Sequence, residues 1–62
     1  MQTQKINNAQ ELASFLEKCE VLDIADHGAI RTIAVECEGR DVLVFADSKG
    51  KATVVYPFAS FN

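Results

Sequence analysis

The chain has 62 residues, of which 48% are hydrophobic, and six Lys/Arg against nine Asp/Glu give it a formal net charge of −3. That length allows a single domain, 1–62. Leu, Ile, Val and Phe make up 18 of the 62 residues, too many for an intrinsically disordered chain of such low charge. We expect no membrane contact, because no apolar run approaches the roughly 18 residues of a spanning helix. The polar start MQTQKINN does not resemble a secretory leader, so we expect a cytoplasmic protein.

The first periodic segment predicts a helix over residues 8–19, preceded by a loose lead-in at 1–7. Leu12, Phe15, Leu16 and Cys19 recur at the spacing that puts side chains on one face of a helix. Asn8, followed three residues later by Glu11, has the spacing of a helix-capping pair. The sequence therefore predicts one amphipathic helix that starts at this pair.

After the helix the period of the hydrophobic pattern changes to two, which predicts four strands. The predicted strands are 21–26, 29–38, 41–47 and 51–58. Pro57 favours an edge position or the end of the last strand. Connections this short join only antiparallel neighbours. The predicted fold class is α+β, with the N-terminal helix packed on a four-stranded antiparallel β-meander over 21–58, in the order α-β-β-β-β.

The turns predict which side chains share a face of this sheet. We take His27-Gly28 and Gly39-Arg40 as two-residue loops and Ser48-Lys49-Gly50 as a three-residue loop. The face under the helix is then predicted to carry Leu22, Ile24, Ile33, Val35, Cys37, Val42, Val44, Ala46, Val54 and Tyr56.

The opposite face of the predicted sheet keeps more apolar residues than a solitary monomer would leave in water. It carries Val21, Asp23, Ala25, Ile30, Thr32, Ala34, Glu36, Leu43, Phe45, Thr53 and Val55. One short helix covers only one side of a sheet, and an exposed apolar patch usually marks a partner site. Ile30, Leu43, Phe45 and Val55 are the candidate interface, with the edge of the first or last strand as the alternative. We expect a homodimer.

A second hypothesis places a small-ligand site, or an enzyme subunit's site, at the dimer interface near Asp26, His27 and Arg31. His27 is the only histidine of the chain, and the neighbouring carboxylate of Asp26 could orient its ring. The competing interpretation is a turn in which Asp26 caps the backbone and His27 tolerates an unusual backbone angle. We favour the turn.

The cysteines and glycines point to structure rather than chemistry. Cys19 and Cys37 lack the spacing of a redox motif, and we expect both to be reduced and buried. The glycines at 28, 39 and 50 fall one to a turn and form no phosphate-binding loop. We expect no catalytic residue, no cofactor and no metal.

These observations favour a small non-enzymatic protein-interaction module, a homodimeric regulator or inhibitor of another macromolecule. Direct nucleic-acid binding is not expected, because the six basic residues are scattered through an acidic chain. A weakly acidic nucleic-acid mimic is a further alternative. Accessory proteins of phages and mobile elements are often this small, and we expect the chain to be of that type.

Overall fold

The computed structural model describes residues 2–57, which form one helix and a five-stranded antiparallel sheet. The elements are β1 Gln2–Ile6, α1 Ala9–Glu17, β2 Glu20–His27, β3 Ile30–Cys37, β4 Arg40–Asp47 and β5 Ala52–Tyr56. The predicted α+β class is therefore confirmed, but the sheet has one strand more than predicted. The predicted last strand also included Phe58, which lies outside the described residues. Within 2–57 no helix is long and apolar enough to cross a membrane.

The additional strand is β1, so the prediction of a loose lead-in at 1–7 was wrong. β1 runs antiparallel to β5, from Gln2 opposite Tyr56 to Ile6 opposite Ala52, and the strand order is β1-β5-β4-β3-β2. Ile6 is only 4% exposed and belongs to the core. An edge position for β5 is excluded, because β1 occupies that side. Pro57 follows the last residue of the strand, as its other interpretation required.

The helix begins where the capping pair predicted and ends two residues early. The Glu11 N–H donates to Asn8 Oδ1 at 2.8 Å, and the Asn7 N–H donates to Glu11 Oε1 at 3.1 Å. The first bond satisfies an N–H group that a helix start leaves without a partner, and the second ties the residue before the cap to the first turn. Lys18 caps the other end, so Cys19 lies outside the helix.

Two of the three turns differ by one residue from those predicted, yet the strand residues next to each turn keep their predicted faces. The first loop is Gly28-Ala29, because His27 pairs with Ile30. The second is Glu38-Gly39, where both residues have positive φ, 55° and 79°, as a type I′ turn requires. Moving a two-residue loop by one position shifts the register by two residues. Because side chains alternate between faces with period two, each residue then stays on the same face. The three-residue third loop is confirmed by the Asp47 N–H, which donates to the Lys51 carbonyl at 2.9 Å.

Gly50 brings the third turn against the start of the helix. Its φ is +86°, a left-handed conformation that glycine adopts at little cost. A Cβ at this position would stand 2.9 Å from the backbone nitrogen of Ala9. Glycine is thus required here both for its backbone angle and for the close approach of the turn to α1.

The core lies between α1 and the middle of the sheet. The buried side chains are Ile6, Ile33, Val35, Val42, Val44, Ala46, Ala52 and Val54, and the helix residues Leu12, Phe15 and Leu16 pack against them. Of the other residues predicted under the helix, Cys37 and Tyr56 are half-buried against this core, whereas Leu22 is 52% and Ile24 is 53% exposed. The latter two lie on β2, an edge strand, at the side of the sheet that the nine-residue helix leaves largely uncovered.

Candidate interaction surfaces

The sheet face turned away from α1, here called the open face, presents two apolar rows across the strands. In one row Leu43 lies between Ala34 and Val55. In the next row Phe45 lies between Thr32 and Thr53. The apolar surface is therefore continuous across β3, β4 and β5.

All four candidate interface residues lie on the open face. Ile30 is 41% and Phe45 is 37% exposed, while Leu43 and Val55 are half-buried by their neighbours. Ile30 is diagonal to Phe45, because Ile30 pairs with Asp47 and Thr32 pairs with Phe45. Sequence and structure thus place the same four side chains on one surface.

The open face is charged unevenly along the strands. Glu20, Glu36 and Asp41 face one another across β2, β3 and β4, and all three are exposed. Like charges directly opposite one another destabilise a sheet locally. The strand ends at the other side of the face carry His27 opposite Ile30. Asp47, opposite Ile30, adds one carboxylate at that end, and its Oδ1 accepts from the Lys49 and Lys51 N–H groups. A partner that covers the whole face therefore meets three carboxylates at one end and one at the other.

The second hypothetical site is only partly assembled. Arg31 Nε donates to Asp26 Oδ1 at 2.7 Å, and the two residues are cross-strand neighbours. Both side chains are more than half exposed, so the pair contributes at most about 1 kcal/mol to stability. His27 lies next to Asp26 in the strand and so points to the opposite face of the sheet. The structure brings Asp26 and Arg31 together and separates His27 from them.

The edge strand β2 forms a second apolar surface that the sequence pattern did not indicate. Val21 lies opposite Val35 and therefore belongs to the helix side of the sheet, contrary to its predicted face. It is 44% exposed, and with Leu22 and Ile24 it forms an apolar stretch along the edge. Leu22 and Ile24 had been predicted in a core that the short helix does not extend far enough to form.

A β-bulge in β2 explains this surface and also joins the two cysteines. Val21 pairs with Val35 and Asp23 with Ala34, which leaves Leu22 as the extra residue. The shift makes Glu20 face Glu36, so the next position along the ladder sets Cys19 opposite Cys37.

The cysteines form a disulfide, with their Cα atoms 4.5 Å apart. The expectation of reduced, buried cysteines was therefore wrong on both counts, since each is only half-buried. Without the bulge, the register set at the His27–Ile30 pair would place Glu20 opposite Cys37 and leave Cys19 one position beyond it. A bulge leaves no clear signal in a hydrophobic pattern.

Comparisons with protein-family models, with curated proteins and with solved structures find no match for this chain.

Proposed function

We propose that this protein is a small non-enzymatic interaction module that forms a homodimer through its open face and regulates or inhibits another macromolecule. The observation that carries the proposal is the apolar surface of Leu43, Phe45, Val55 and Ile30, of which Phe45 and Ile30 are exposed. Apolar patches of this kind on small proteins usually mark contact sites. A second copy of the chain supplies the same surface and would bury both at once.

Charge favours one of the two symmetric ways to stack the open faces. A two-fold axis parallel to the strands would bring the row of Glu20, Glu36 and Asp41 against its own copy. A two-fold axis across the strands instead sets this row against the partner's opposite end, near His27, Ile30 and Asp47. The second arrangement sets three carboxylates against one instead of three against three, which reduces the repulsion, and it sets Leu43 against Phe45 of the other chain. Sheets packed in this way lie about 10 Å apart.

Replacing Phe45 by Glu tests the dimer. We expect the wild-type protein to sediment at twice the 6.8 kDa of one chain at micromolar concentration, and the Phe45→Glu variant to sediment as a monomer. The charge would have to be buried in the interface without a partner, which opposes association by several kcal/mol, about a thousandfold or more.

The matched control is Ala13→Glu, which adds the same charge at an exposed position of α1. This variant is expected to remain dimeric. A monomeric wild-type protein, or a Phe45→Glu variant with unchanged mass and an intact fold, would contradict the proposed interface.

The proposal also includes a cytoplasmic location, which the disulfide makes testable. Glutathione and thioredoxin keep most cytoplasmic thiols reduced. In growing cells quenched with acid and alkylated at once, a cytoplasmic protein is expected to show both Cys19 and Cys37 modified. A pair that remains bridged and unmodified would instead indicate an oxidising compartment.

A further inference from the structure

The two edges of the sheet are protected to very different degrees. β1, at one edge, has five residues, and they are polar except for Ile6, with Lys5 among them. β2, at the other edge, has eight residues and contains neither proline nor lysine. A long edge with exposed apolar side chains is a template for another strand, and a lysine or proline is the usual means of blocking it. β2 is blocked by its bulge, which lies near the start of the strand, and by Asp23, whose Oδ1 accepts from the Ile24 N–H at 2.9 Å and would have to release it to an added strand.

A groove runs beside this edge on the helix side of the sheet. It has a volume of about 670 Å³, and its apolar walls include Leu12 and Leu16 from α1 and Ile24 and Ile33 from the sheet. A strand added to β2 would place alternate side chains on this side of the sheet. The groove therefore provides room for an apolar side chain of the added strand.

The charge of the edge selects the kind of strand that fits. β2 carries Glu20, Asp23 and Asp26, and of its charged residues none is Lys or Arg. Asp26 is paired with Arg31, whereas Glu20 and Asp23 both lie on the open-face side of the strand. Pairing β2 with β2 of a second copy would collect these two carboxylates from each chain along one seam. A segment with Lys or Arg between its apolar residues would complement these carboxylates, because opposite charges across neighbouring strands stabilise the pairing.

We propose that the β2 edge binds an extended, basic segment of another protein as a sixth strand, with one apolar side chain of that segment in the groove between α1 and β2. The inference deepens the proposed function, because it names the kind of macromolecule that the module would bind, and it uses a surface separate from the open face. Backbone hydrogen bonds to β2 would supply affinity, while the groove and the carboxylates would supply selectivity.

The test uses two synthetic peptides as probes, one alternating Lys and Val and the other alternating Glu and Val, each as long as β2. Binding to the isotope-labelled full chain is followed by NMR, together with the protection of amides against hydrogen exchange. We expect the Lys/Val peptide to bind, to protect β2 amides, and to lose affinity as salt is added. The Glu/Val peptide is expected not to bind.

Two matched variants separate this proposal from the dimer. Ile24→Lys is expected to weaken Lys/Val binding at least tenfold and to leave the dimer intact. Phe45→Lys adds the same charge at an exposed apolar residue in the centre of the open face; it is expected to retain peptide binding and to weaken the dimer. A failed dimer with retained peptide binding would therefore overturn the proposed interface and leave the edge proposal standing.

Four outcomes would overturn the edge proposal. Equal binding of the Lys/Val and Glu/Val peptides, or no binding of either, would contradict the proposal that the β2 edge binds a basic segment. If polylysine bound with the same affinity as the Lys/Val peptide, the binding would be an effect of charge without strand addition. A monomeric Ile24→Lys variant, compared with a dimeric wild-type protein, would show that the edge is occupied by a second copy of this chain.

Discussion

Loss of the Cys19–Cys37 bridge is expected to lower the free energy of unfolding by about 3 kcal/mol. The bridge joins residues separated by 18 positions, and closing a loop of that length removes roughly this much conformational freedom from the unfolded chain. A chain of 62 residues has a total stability of only about 3–9 kcal/mol. The change is measured by urea denaturation of the oxidised wild type and of a Cys19→Ala/Cys37→Ala double variant.

The wild-type protein kept in excess dithiothreitol is the control for this measurement. It should lose nearly the same stability as the double variant, because both lack the bridge. The two samples differ only in the sulfur atoms, which the double variant lacks. If the double variant is destabilised but reduction of the wild type has no effect, the loss comes from side-chain packing and not from the cross-link. A loss below about 1 kcal/mol in both would contradict a bridge that restrains the chain.

Truncation of Ile6 to Ala is expected to cost about 2–4 kcal/mol of stability. Ile6 is 4% exposed at the end of β1 and contributes to the core beside Ala52. The substitution removes apolar surface that is buried in the fold and leaves a cavity that the neighbouring strands fill only in part. Thermal or urea unfolding with the disulfide intact measures the difference.

Ile24→Ala is the matched control, because it makes the same truncation at an isoleucine that is 53% exposed. It should cost less than about 1 kcal/mol, since little of the lost surface is buried. Equal and small effects at Ile6 and Ile24 would mean that β1 does not hold residue 6 in the core. The comparison thus tests the one strand that the sequence pattern missed.

Local signals in the sequence predicted the parts of the fold that depend on local interactions. Asn8 and Glu11 marked the start of the helix because the capping bonds join residues three or four positions apart. The open face was also predicted correctly at Leu43, Phe45 and Val55. Errors of one residue in the turns changed the pairing by two positions, which leaves the alternation of faces unchanged.

The features that escaped prediction depend on distant partners or on an irregular strand. The segment QTQKI holds a single apolar residue, and its partner strand β5 ends at Tyr56, opposite Gln2. No local pattern reveals such a pairing. The bulge at Leu22 was equally hidden, and with it the alignment of Cys19 with Cys37.

The exposure of Ile24 has a different cause, which is the limited size of the helix. Periodicity correctly predicted that Ile24 and Ile33 share a face, and the two residues pair directly. It gave no information on whether α1 extends over both. The helix ends at Glu17, so Ile33 is buried in the interior of the sheet while Ile24 at the edge stays exposed.

The most direct test of the dimer interface is a search for contacts between chains in solution. Isotope-labelled and unlabelled protein are mixed, and an isotope-filtered NOE experiment detects only pairs of protons on different chains. The stacked arrangement proposed above is expected to give NOEs from the Phe45 ring to the methyl groups of Leu43 on the other chain. An absence of NOEs at the open face in a sample that sediments as a dimer, or NOEs confined to β2, would contradict it.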